Sequence, residues 1–402
     1  MDLHRRTFAA LRHRNFRLFW ISQLISLTGT WMHAVAQGWL VLELTDQPFW
    51  LGAVGAANTL PVLAFSLLGG VAADRFPKRT LLISSQSVSA VLALGLGLLA
   101  LGGHVRVWHV LAVALLLGTA NAIDLPARQS FIVEMVGRED LLNAIALNSF
   151  TFNAARVIGP AIAGAIVAAA GAPACFLVNA ASFIPVVAAL GMMRGLPAAP
   201  PARPGSVASH LREGLAYLGR ERRFQGFIGL VAAGSFFGFP CITLLPAFAR
   251  DVLHADARGY GLLMAMTGVG AVVSALALAG RQRSGVAGAV VVWAGVAFGA
   301  ALVLFAASRS FVTAVPLLAV AGAAMVAQAA TANTLVQAMV PDALRGRIMS
   351  IFTLVLMGAM PLGNIVIGAL AGLIGTTASV AAFGLALCAA VGTIALARRE
   401  VF

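Results

Sequence analysis

Charge is scarce in this chain: of 402 residues, 10% are Asp, Glu, Lys or Arg. A soluble domain carries about 25%, so a string of soluble globular domains is excluded. Lysine is nearly absent, with Lys78 the single example, so the 27 basic residues are otherwise all Arg. They sit between apolar runs instead of gathering on one polar module, which argues against a nucleic-acid partner despite a net charge of +13. Cysteine is rare as well. Cys175, Cys241 and Cys388 lie far apart in apolar stretches, which argues against a disulfide framework and a thiolate metal site. Phosphate-loop, catalytic-triad and metal-ligand spacings are all missing. No cofactor and no enzymatic activity are therefore expected, and ATP drive is not encoded. The apolar run after Phe16 is too long for a secretory leader and lacks a small-residue cleavage site, so no cleavable signal peptide is expected; Arg5-Arg6 reads as basic flanking.

What the chain does have is apolar length. Hydrophobic residues make up 60% and mean hydropathy is +0.93. A helix needs about 20 residues to cross the hydrocarbon layer. Runs of that size begin near Phe19, Leu51, Leu81, Trp108, Asn143 and Ala174, then near Phe227, Gly259, Ala287, Phe311, Arg347 and Thr377. The expectation is an all-α membrane protein with twelve transmembrane helices. Orientation follows from the arginines. With the N-terminus in the cytoplasm, 22 basic residues fall in cytoplasmic segments, and only Arg106, Arg250, Arg258 and Arg309 fall outside. Both termini are then cytoplasmic, and the location is the bacterial inner membrane.

Residues 194–223 form the one long polar segment. Its Pro-rich start leads into a short amphipathic stretch carrying Leu211, Leu215 and Leu218, read as a linker on the cytoplasmic surface. It divides a bundle over 1–193 from one over 224–402. An internal repeat supports the division. An offset of 204 residues lays Met135-Val136 on Met339-Val340, Gly159 on Gly363, Gly164 on Gly368 and Gly171 on Gly375. An offset of 210 lays Gly70 on Gly280. Two six-helix bundles in parallel repeat place a substrate site near the midplane between them.

The run from Gly70 to Arg79, GVAADRFPKR, resembles the loop 2–3 motif G-x-x-x-D-R-x-G-R-R of the major facilitator superfamily, with Pro77 where the motif has Gly. The segment RVIGPAIAG from Arg156 to Gly164 resembles the Gly-Pro motif that marks antiporters on span 5. GTWMHAVAQGWLVLELT from Gly29 and DLPARQSFIVEMVGREDLLNAIALNS from Asp124 are similar to the branch that holds the enterobactin exporter and related drug-efflux proteins. The resemblance covers nearly the whole chain and implies the major facilitator fold. The Arg that many drug:proton antiporters carry on span 4 maps to Val113, so a relay built on that Arg does not transfer.

The residues themselves point the same way. Gly70 is expected to pack span 2 against a neighbour. Asp74 can accept hydrogen bonds from a helix start, with the helix at Pro341-Asp342 as the partner. Gly70, Asp74, Arg75 and Arg79 are assigned to a cytoplasmic gate, and Lys78 to simple anchoring. Gly159, Pro160 and Gly164 are expected to bend span 5 and leave a smooth face for span 8. Ionisable groups inside the bilayer are functional candidates by default. His33 with Gln37, Glu43, Asp124 with Arg128, Arg156, and the second-half amides Gln328 and Asn333 are therefore assigned to the substrate and proton pathway. Asp124 and Arg128 are one helical turn apart and share a face, and Arg156 is expected to pair in turn with Asp124 or an anionic substrate. Phe236, Phe237, Phe239 and Met357 read as a soft neutral lining.

The expected function is proton-coupled export of amphipathic or aromatic small molecules, drug-like or siderophore-like, by alternating access. The proton gradient is the driving force and membrane lipids the surroundings, and the protein is expected to act as a monomer. A lipid or lysolipid carrier and a non-transporting sensor with the same fold are the alternatives.

Overall fold

The structure is a computed structural model and describes residues 8–195, 221–279 and 287–398. Among those residues it is all helix, with no strand. The expected linker helix with Leu211, Leu215 and Leu218 and the second-half turn at Arg281 and Arg283 lie outside the described residues.

A 3-10 turn, Ala9–Arg12, leads into α1 (Arg14–Thr45). Then come α2 (Pro48–Arg75), α3 (Lys78–Leu101) and α4 (Val107–Val136). The next 52 residues, Leu141–Met192, are two helices, α5 (141–170) and α6 (172–192), broken at Gly171 with φ 77° and ψ 170°. The chain reverses there: Cys175 Sγ comes back to 3.8 Å from Ala163 O. A straight helix would hold those residues about 18 Å apart at 1.5 Å per residue.

The seventh span, α7, is assembled from pieces. Arg222–Ala233 and Phe239–Thr243 flank a π-turn at Gly234–Gly238, and Leu245–Ala247 precedes another at Phe248–Val252. After it come α8 (Ala257–Ala279), α9 (Ala287–Ala307), α10 (Phe311–Met339), α11 (Asp342–Ile374) and α12 (Thr376–Ala397). Gly375, at φ 85° and ψ 160°, is the whole connection between the last two.

Among the described residues, ten helical segments are long and apolar enough to cross a membrane. One of them is the α5–α6 pair. α1 adds 32 residues, its apolarity diluted by Arg14, Arg17, Gln23, His33, Gln37 and Glu43. Twelve helices of spanning length result, each starting close to an apolar run read from the sequence.

The helices cluster into two compact units: Met1–Leu40 with Leu60–Pro204, and Val41–Thr59 with Gly205–Phe402. In unit 1, Phe16, Phe19, Leu82, Phe131 and Leu190 are fully buried at one end, with Phe19 and Phe131 edge-to-face at 6.0 Å. In unit 2, α9 packs along α10 and α12, and α8 along α10. Lipid tails offer no hydrophobic drive for helices to associate, so close approach at small residues does the work. A Cβ at Gly270 on α8 would lie 1.8 Å from Ala319 O, and one at Gly322 on α10 would lie 2.0 Å from Thr267 O. Within the same unit the first half of α2 crosses α11, where a Cβ at Gly52 would lie 2.2 Å from Asn364 O.

Candidate functional site

The polar centre of unit 1 is built on α4. Asp124 is 2% exposed and Arg128, one turn later, donates to its Oδ1 from Nε at 2.9 Å and from a terminal nitrogen at 2.5 Å. α3 supplies the donors for the other oxygen: Gln86 Nε2 at 2.7 Å and Ser85 Oγ at 3.2 Å from Oδ2. α1 closes the set, with Gln23 Oε1 accepting from Arg128 at 2.8 Å and Ser26 Oγ donating to Gln86 at 3.4 Å. Three helices thus converge on one carboxylate whose two oxygens are both occupied, so a charge that lipid would penalise is held by charge-assisted hydrogen bonds. Pro126, two residues on, has no N–H for the carbonyl of Ala122. That carbonyl is where α2 crosses: a Cβ at Gly69 would fall 2.1 Å from Ala122 O.

Arg156 does not join this group. Its guanidinium carbon lies 5.8 Å from the ring centre of Trp31 on α1, a cation–π arrangement. The expected Asp124–Arg156 pair is absent among the described residues because Arg128, on the same helix and one turn away, takes the carboxylate. The Gly-Pro motif explains the approach of α5 to α1. A Cβ at Gly159 would meet Trp31 Cβ at 2.6 Å and Thr28 O at 2.9 Å, while Pro160 and Gly164 are buried. The tight neighbour of Gly159 within its unit is therefore α1.

His33 is 4% exposed and its ring centre sits 4.8 Å from that of Phe176 on α6. Neither ring nitrogen has a hydrogen-bond partner among the described residues. One turn earlier Gly29 brings α1 against the same helix, 2.3 Å separating its ideal Cβ from Ser182 Oγ. Gln37 is buried on the next turn, whereas Glu43 is exposed in unit 2.

In unit 2 the position matching Asp124 is Gln328, 3% exposed, with Nε2 donating to Leu230 O at 3.2 Å. Glycines make room for its amide: a Cβ at Gly234 or Gly295 would fall 2.7 or 2.6 Å from it. Asn333 is not part of this site; it accepts from Gln337 Nε2 at 3.2 Å on its own helix. Phe236 and Phe237 pack on Phe383 of α12, and Phe239 on Phe298 of α9.

The gate residues separate into two kinds. Asp74 and Arg75 are exposed, and neither has a hydrogen bond or ion pair among the described residues. Arg79 donates to Gly191 O at 2.7 Å and fastens α3 to the end of α6. Gly70 has open space around its ideal Cβ, so the packing glycine is Gly69; one residue is 100° of helix, and Gly70 points elsewhere. Lys78 is more than an anchor. It is 7% exposed and its ammonium meets Glu134 Oε1 at 2.6 Å.

One cluster escaped the sequence. Asp140, just before α5, accepts from His13 Nε2 at 2.7 Å and Arg12 Nε at 2.9 Å. Those bonds, His13 first, hold its carboxyl below the usual range. Ala10 N donates to Asn143 Oδ1 at 2.9 Å alongside. The available signal was an acid at a helix start and two adjacent cations before α1.

A family model described as "transmembrane secretion effector" matches residues 5–400. The staphyloferrin A transporter of Staphylococcus aureus is 28% identical over 65% of this chain and 66% of its own length. The multidrug efflux pump Tap of Mycolicibacterium fortuitum is 28% identical over 92% of both chains. The enterobactin exporter EntS of Shigella flexneri is 24% identical over 93% of this chain and 89% of its own. Among solved structures, the nucleoside transporter NupG (D323A mutant) superposes with a TM-score of 0.77 at 16% identity, covering 96% of this chain and 99% of that one.

Proposed function

Because the chain belongs to the transmembrane secretion effector family of the major facilitator superfamily, we propose that its transport activity is proton-coupled export of amphipathic or aromatic small molecules. The observation that carries this reading is the buried Asp124–Arg128 pair with hydrogen-bond partners from three helices. A charge inside a membrane-spanning bundle is expensive and marks a pathway for ions or substrate, and a carboxylate can exchange its proton with the gradient. Names among the relatives, a multidrug efflux pump and two siderophore transporters, support the substrate class and the export direction.

In this reading Arg156, held by an aromatic face and not by a carboxylate, meets the anionic or catechol-like part of the substrate. His33 and Gln37 lie on α1, the helix that carries Trp31. Asp74 and Arg75 form a latch at the cytoplasmic mouth, with both termini and residues 194–223 on that side. Asp74→Asn then slows transport without loss of protein; an unchanged rate in reconstituted vesicles excludes the latch. A Cys at Ser206 stays unlabelled from outside intact cells, and ready labelling there reverses the topology.

The deciding experiment is efflux from cells that lack or overproduce the protein, using a fluorescent amphipathic dye and a catecholate siderophore as separate probes. Overproduction lowers retention of one probe, and a protonophore abolishes the difference. If neither probe responds, the substrate class is wrong. A response that survives the protonophore rules out proton drive.

A further inference from the structure

We propose that the mouth between α1 and α6 is a binding site for the anionic headgroup of a membrane phospholipid. A pocket of about 520 Å³ opens there, lined by His13, Arg14, Asn15, Met135 and Arg194. Its walls are braced: Arg14 donates to Met192 O at 3.2 Å and Asn15 Nδ2 to Arg194 O at 2.9 Å. α1 begins at Arg14, so the first amide N–H groups of a helix, which have no acceptor within it, face the same end and favour an anion.

The nearby acids are already used. Asp140 accepts from Arg12 and His13, and Glu134 from Lys78. Arg14 and Arg194 are exposed and, among the described residues, have no carboxylate partner. Among the described residues, positive charge is left over at this place.

What sets the ligand as a lipid, and not a free anion, is the surface running away from the pocket. On α1 the exposed residues Arg14, Arg17, Ile21 and Ile25 fall at spacings of three and four, on a single face. Ile21 and Ile25 are 50% and 46% exposed. On α6 the exposed residues Ala181, Ile184, Ala188 and Met192 repeat the same spacing and run into Arg194. Each stripe is cationic at the pocket and apolar beyond it. A headgroup phosphate fits the arginines and an acyl chain fits the isoleucines, the arrangement by which basic sites between spanning helices hold anionic lipids.

The test uses the purified full-length protein in a neutral detergent. Thermal unfolding and native mass spectrometry are read with phosphatidylglycerol, cardiolipin, phosphatidylcholine or inorganic phosphate added. The anionic lipids raise the melting temperature and stay bound, while phosphatidylcholine and phosphate do neither. The double variant Arg14→Gln/Arg194→Gln loses anionic-lipid affinity on the order of thirtyfold, taking each arginine near a charged surface at its usual worth. The double variant Arg258→Gln/Arg309→Gln, an equal charge change at other exposed sites, leaves affinity unchanged. If the double variant does not elute as a single species, Arg194→Glu is read in its place, with the same expected loss. Wild-type retention of phosphatidylglycerol by the variant overturns the site, as does equal stabilisation by phosphatidylcholine. Stabilisation by phosphate alone would mean an anion site without a lipid.

Discussion

The middle of α4 and the middle of α10 occupy matching places in the two repeats, and they solve the same packing problem with opposite chemistry. Around Asp124, α3 and α1 supply Gln86, Ser85 and Gln23, and Arg128 balances the charge. Around Gln328 there is a backbone carbonyl of α7 and space left by Gly234 and Gly295. The close crossings, by contrast, are shared: α2 meets α4 at Gly69, and α8 meets α10 at Gly270 and Gly322. The fold therefore demands the crossings in both halves, while charge is kept in one.

The largest effect should come from breaking the charged side of this comparison. Asp124→Leu strands Arg128 in a buried site, a loss of about 3–5 kcal/mol, whereas Gln328→Leu removes one neutral hydrogen bond worth about 1 kcal/mol. Melting temperatures of the two variants in one detergent measure the ratio, and equal drops would dissolve the distinction between the halves. Restoring much of the loss with Asp124→Leu/Arg128→Met would assign it to the stranded cation.

The crossings come next. Gly69→Ala must force a methyl group onto a backbone carbonyl and is expected to lose about 1–3 kcal/mol, and Gly270→Ala the same. Gly70→Ala, beside open space, should be close to neutral. A neutral Gly69→Ala, or a Gly70→Ala that unfolds, would move the crossing point.

A smaller effect sharpens the neutral side. Gly295→Ala presses on the end of a flexible amide, so the protein should tolerate it with modest destabilisation that Gln328→Ala relieves. A double-mutant cycle is expected to give a coupling of about 0.5–1 kcal/mol; additivity would mean that the glycine serves something else.

The smallest lies outside both. Asp140 has a folded-state pKa below the ordinary 3.8, so its contribution is complete above that value and is lost as pH falls through the folded pKa. Asp140→Asn should speed amide exchange in residues 8–13 at neutral pH, and the difference from the wild type should close under acid conditions. Unchanged exchange at neutral pH would show that the N-terminal turn is held by Asn143 alone.

Much of this was legible beforehand, and the rest has identifiable causes. Span positions follow from apolar length, and the Asp124–Arg128 pairing follows from an interval of four on a helix. Gln86, Ser85 and Gln23 were not legible, because their partner lies 38 to 105 residues away and only packing brings them there. The choice between Gly69 and Gly70 turned on one residue of helical phase. Lys78 read as an anchor because lysine usually reaches solvent; its burial depends on Glu134 from another helix. The π-turns of α7 gave no signal beyond a run of glycine and phenylalanine, since an extra residue per turn leaves composition unchanged.

The two glycine corners have a consequence for length. At Gly171 and Gly375 a helix ends and the next begins with no spare chain between them. Elsewhere an inserted residue can be taken up in a turn, but here each added residue would rotate the whole following helix by about 100°. Every face of α6 or α12 would then present the wrong side chains to its neighbours. Insertions and deletions across the family should therefore avoid these two points, and an epitope tag or a protease site placed there should fail where the same tag between α3 and α4 succeeds.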